Sequence, residues 1–125
     1  MTNTTRYHLG LLLLRIGFAG MMLTHGIPKL MKLLGGNFEF GDPIGLGEPI
    51  SLVLAVIGEA ICPLLIIVGF KTRWAAIPAF LTMGVAAFIV HADDPFASKE
   101  KALLYLVAFL VIALLGAGKY SLDRN

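Results

Sequence analysis

Four apolar stretches divide the chain, at about residues 9–34, 50–69, 74–91 and 102–116. Each approaches the roughly 17–25 helical residues that cross a hydrocarbon core. They are apolar all round, so no residue period separates helix from strand. Lipid makes the choice instead, because a helix satisfies its own backbone N–H and C=O groups and a lone strand does not. The pattern predicts an all-α fold, a four-helix transmembrane bundle forming a single integral membrane domain over residues 1–125. The fourth stretch is the shortest, and Ser98 in "SKEK" is placed to cap an earlier start. Between the stretches, "GFKTR" predicts a tight basic turn, and "GGNFEFGDPIGLGEP" a long acidic loop or re-entrant cap. "ADDPFASKEK" joins the last two.

Composition agrees with lipid as the solvent. The 125 residues are 58% hydrophobic and 14% charged, with a mean hydropathy of +0.85. A soluble domain of this size could not hide that much apolar surface. The charges also suggest an orientation. Arg6, Lys71, Arg73, Lys119 and Arg124 lie on the side of the termini, against Asp123 alone. Lys29, Lys32, Lys99 and Lys101 lie on the other side among Glu39, Asp42, Glu48, Asp93, Asp94 and Glu100. The positive-inside rule then predicts both termini in the cytoplasm and a multi-pass protein of a bacterial inner membrane. Arg15 interrupts the first apolar run and no clean small-x-small site follows, so that run reads as a retained helix rather than a cleaved signal. The lone Cys62 has no disulfide partner and reads as a small apolar residue. Dispersed basic residues exclude nucleic acid, and no metal motif or phosphate-binding glycine loop occurs.

Ionisable groups inside a bilayer are costly and mark candidate function. At about 100° per residue, Arg15, Met22, His25 and Lys29 share one face of the first helix. Glu59 near the middle of the second helix is the natural counter-charge, and an Arg15–Glu59 ion pair is expected. Such a pair could fix helix register or take part in chemistry. Pro28 and Pro63 free the carbonyls of Thr24 and Glu59, loosening both helices beside ionisable residues. His25 and His91 sit near the outer ends of their spans and could approach each other, to ligate a haem as a pair or, with less demand on geometry, to hydrogen-bond a quinone-type carbonyl through a ring nitrogen. Glu100, Lys101 and Tyr105 cluster at the start of the fourth helix, with Tyr105 able to point inward. Trp74 reads as an interfacial belt residue, and Gly17, Ala19, Gly20, Gly58, Gly84 and Ala87 as close-packing positions.

The order "LLLLRIGFAGMMLTHGIPKL", "IGEAICPLLIIVGFKTRWAA", then "VHADDPFASKEKALLYLVAFLVIALLGAGKYSLD" resembles the DoxX family of small four-helix membrane proteins, from about residue 11 to 123. The resemblance implies a place in membrane oxidoreductase systems, with relatives linked to quinone-dependent thiosulfate oxidation and to oxidative-stress resistance. The expected protein is a subunit that lies in the lipid bilayer, works with partner redox proteins and can oligomerise. It would hold a quinone or similar apolar redox molecule in a polar pocket. The ligand-binding candidates are Arg15, His25, Lys29, Glu59, His91 and Tyr105. Glu59 and His25 are the catalytic candidates, with Glu59 as a proton relay. A non-catalytic scaffold or membrane chaperone and a small-molecule transporter are the rival classes.

Overall fold

The computed structural model describes residues 2–124. Helix α1 (Asn3–Leu34) opens where the Thr2 hydroxyl accepts from the Thr5 N–H at 3.1 Å. Helix α2 (Glu48–Val68) begins with Pro49 in its first turn, where a missing N–H costs nothing. Gly69 ends it in the left-handed region, with φ 75°. Helix α3 (Thr72–Val90) follows after the tight "GFKTR" turn, and helix α4 (Phe96–Leu115) completes an all-helical bundle. Helices α1, α2 and α3 are long and apolar enough to cross a membrane. Helix α4 has 20 residues, and Lys99, Glu100 and Lys101 occupy its early turns.

The helices run past the expected apolar borders. Polar residues 3–8 are helical too, since hydrogen bonding rather than apolarity decides where a helix stops. Helix α4 starts at Phe96 behind Pro95, and Ser98 donates its backbone N–H to the Pro95 carbonyl at 2.9 Å. Ser98 therefore lies inside the first turn and is not the cap. Pro78 stands within α3, and its carbonyl accepts the Thr82 hydroxyl at 2.8 Å.

Two π-helical turns interrupt the bundle, at Ile57–Ile61 in α2 and Ala86–Val90 in α3. Such turns insert a residue into the helical ladder and frequently mark functional sites. The core is built from Ala19, Met22, Ile66, Ala76, Ala79, Ala87, Phe109 and Ile112, all almost wholly buried. Alanines at the contacts let the helices approach closely. The tightest approach is at Gly26, where a Cβ would lie 1.9 Å from the Glu59 carbonyl oxygen. Pro63 denies that carbonyl its usual helical donor. At Gly58 a Cβ would lie 2.0 Å from the Thr82 hydroxyl.

The structure corrects the expected Arg15–Glu59 pair. Arg15 is 1% exposed and donates to four carbonyls: Ile66 at 3.0 Å, Ile67 at 2.9 Å, Ala117 at 2.9 Å and Tyr120 at 3.1 Å. Helix α1 starts six residues earlier than its apolar run, so Arg15 stands level with the last turn of α2. Glu59 is seven residues further along, roughly 10 Å at 1.5 Å per residue. Around Arg15 the other ends are closed in the same way. Arg73 donates to the Ala113 and Leu114 carbonyls at the end of α4. Asp123 accepts from the Lys71 N–H, the Thr72 N–H and the Thr72 hydroxyl, each at 2.8 Å, and so caps α3. His8 Nδ1 accepts the Lys119 N–H at 3.0 Å, giving that histidine a structural partner.

Candidate functional site: two chambers that meet at Glu59

At the opposite end of the bundle the polar residues do not close on backbone. Glu59 lies inside the π turn of α2 and is 5% exposed. Its Oε1 accepts from Lys29 Nζ at 2.6 Å, so the counter-charge of Glu59 is Lys29 and not Arg15. Lys29 Nζ also stands 5.8 Å from the centre of the Phe40 ring, which shields the ion pair from the loop side.

Two chambers flank this pair. The larger, about 360 Å³, is walled mostly by apolar residues, including Phe40, Pro43, Ile44, Leu54 and Val90. Residues 40–44 belong to the long loop after α1, which thus folds over the chamber as a cap. Asp42 holds that loop by accepting the Gly47 N–H at 3.0 Å and the Ser51 hydroxyl at 3.1 Å. The smaller chamber, about 200 Å³, is lined by His25, Ser98, Lys101 and Tyr105 among others. Glu59, Met83, Ala86 and His91 belong to both linings, so one carboxylate forms part of the partition. The π turn of α3 contributes Ala86 and Val90.

His25 meets Tyr105 edge-to-face at 6.1 Å, and Tyr105 stacks on Phe109 at 6.2 Å. His91 Nδ1 is engaged with Asp94 at 2.8 Å, leaving its other nitrogen for the chambers. Five of the six expected site residues, His25, Lys29, Glu59, His91 and Tyr105, therefore line one polar region. Arg15 lines neither chamber, because its donors are committed to the clamp at the other end. Among the described residues no group of three or more His, Cys, Asp or Glu side chains could hold a metal ion.

The DoxX family model matches residues 10–92, about two thirds of the chain. The chain belongs to the DoxX family. It is 34% identical to an "Uncharacterized protein" of Haemophilus influenzae, over all of this chain and 97% of that one. It is 31% identical to "Inner membrane protein YphA" of Escherichia coli, over 92% of this chain and 89% of the relative. No solved structure matches. This is thus a membrane protein of the DoxX family, and the matched stretch carries His25, Lys29, Glu59 and His91.

Two features of this DoxX site lay outside the sequence expectations. Gly26 was not among the close-packing positions, although a glycine inside a long apolar helix beside Pro28 is a signal of close backbone approach. The π turns have no sequence signature of their own, yet they carry Glu59 and border both chambers.

Proposed function

We propose that this protein is a bacterial inner-membrane subunit of an oxidoreductase system, holding a quinone or similar apolar redox molecule in the chamber beside Lys29–Glu59. In this reading the bundle is a four-span protein with both termini in the cytoplasm. The name of the Escherichia coli relative supports the inner membrane. The observation that carries the ligand reading is the ion pair itself, set in the wall between an apolar chamber and a polar one. An apolar chamber with a few convergent polar groups is what binds a ring with two carbonyl oxygens.

The residues divide the work. Lys29, on the large chamber, and His25, on the small one, would each donate a hydrogen bond to a carbonyl oxygen, favouring the electron density that reduction places there. Glu59 would hand over protons, recharged through the polar chamber. Two electrons from a partner redox protein and two protons would complete conversion of quinone to quinol. The test is mass spectrometry of the organic extract from detergent-purified protein. Wild type should carry a quinone near one per chain, and His25→Ala should lose it. Equal traces in both would overturn the reading and favour a non-catalytic scaffold.

A further inference from the structure

The two chambers differ in character but share four lining residues, and their charges do not balance. Lys29 and Lys101 bring two cations to the joined linings, and Glu59 brings one anion. The ion pairs among the described residues are Lys29–Glu59 and His91–Asp94, so Lys101 has no carboxylate partner. Tyr105 is 7% exposed, and its hydroxyl has no hydrogen-bond partner among the described residues. No buried polar side-chain atom among those residues is left unpaired. The Tyr105 hydroxyl must therefore open onto the small chamber that the residue lines. The same reasoning applies to the Glu59 oxygen that Lys29 does not hold.

We infer that the two chambers form one site for an amphipathic ligand with a monoanionic oxygen head, which Lys101, Tyr105 and His25 receive in the small chamber while the large one takes the apolar body. The inference rests on the proposed ring-binding function and narrows its ligand class. Three donors line a space of about 200 Å³, and over the joined linings of both chambers Lys29 and Lys101 exceed Glu59 by one positive charge. Lys101 is exposed, lines the small chamber and has no carboxylate partner among the described residues, so its ammonium is free to receive an anion. Glu59 does not repel that head, because Lys29 neutralises it at 2.6 Å.

The test titrates detergent-purified protein with a matched pair of probes: an acidic hydroxynaphthoquinone, anionic at neutral pH, and its neutral methyl ether. Wild type should prefer the anion by about tenfold, the scale of one charge-assisted hydrogen bond. Lys101→Gln should cut that preference to about twofold or less, weakening the anion far more than the methyl ether. Tyr105→Phe should weaken the anion by a smaller factor. Lys99→Gln is the control, since Lys99 bonds the Ala92 carbonyl and lines neither chamber. Equal affinities in wild type, or a preference that survives Lys101→Gln, would overturn the anionic head and leave ring binding intact. Binding of neither probe would overturn both readings. Loss of the preference on adding excess phosphatidylglycerol would support the anionic-head site but assign its occupant to lipid, overturning the ring-binding reading.

Discussion

At the end where the chain termini meet, Arg15 gives hydrogen bonds to four backbone carbonyls, and Asp123 takes three from the start of α3. At the loop end, Lys29 makes one contact with Glu59, and among the described residues the neighbouring Tyr105 hydroxyl and Lys101 have no such partners. Both ends place charge in an apolar bundle, yet only the first uses it up. An arginine that is 1% exposed and has four of its five N–H groups on backbone carbonyls is structural, because it is sealed from any chamber a ligand could enter. A carboxylate with one oxygen paired and the other open to a chamber is held in place and still available. Charge alone does not separate a pin from a site. The number of bonds already made does.

The sharpest way to break this comparison is at Arg15. Arg15→Leu should strand the Ile67, Ala117 and Tyr120 carbonyls, at about 1–3 kcal/mol for each, while the Ile66 carbonyl keeps the Gly69 N–H. The protein should lose its monodisperse peak in size-exclusion chromatography. Arg15→Lys should rescue little, since an ammonium cannot bridge two helix ends as the guanidinium fork does. Next in size is Gly26→Ala, where the new methyl would meet the Glu59 carbonyl. A destabilisation of about 3 kcal/mol is expected, at the upper end for overpacking, with a matching fall in thermal midpoint. Gly17→Ala, with nothing within 4 Å, should leave that midpoint unchanged.

Smaller effects sharpen the other side. Lys29→Met should cost about 2 kcal/mol, less than a fully buried pair because Lys29 is 30% exposed. Lys29→Met combined with Glu59→Leu should recover most of that stability in thermal unfolding while abolishing quinone binding. A pair present for register alone would show no such split. The smallest effect is one of pH at Asp123. Burial alone would raise its carboxyl, but hydrogen bonds from Thr72 and Lys71 and the charge of Arg15 outweigh it and lower it overall. A group lowered in the folded state stabilises above the ordinary carboxylate value, about 3.9, and loses that contribution as the pH falls through its folded value. Thermal midpoints should therefore drop in acid, and Asp123→Asn should flatten the drop.

The helices and the shared face of His25 and Lys29 were legible because apolar runs and helical geometry are local properties of the chain. The position of Glu59 in the middle of α2 was legible too, but its partner was not. Pairing depends on how far α1 slides past α2, and that is set by Gly26 against Glu59 and by Arg15 against the end of α2. The acceptors of Arg15 are backbone carbonyls, which every residue has and no sequence advertises. The Thr72–Asp123 cap joins residues 51 positions apart and leaves the same blank. Tyr105 could be placed on α4, but the chamber it opens onto exists only once α1, α2, α3 and α4 have packed.

The Arg15 clamp also sets an order of events during synthesis. Two of its acceptors, Ala117 and Tyr120, lie 102 and 105 residues further along the chain. Chains emerge N-terminus first, so the guanidinium enters the bilayer long before those carbonyls exist. A nascent chain arrested before Ala117 carries an arginine whose donors are not all satisfied, within a segment otherwise suited to lipid. Those unsatisfied donors find their acceptors only when the tail docks.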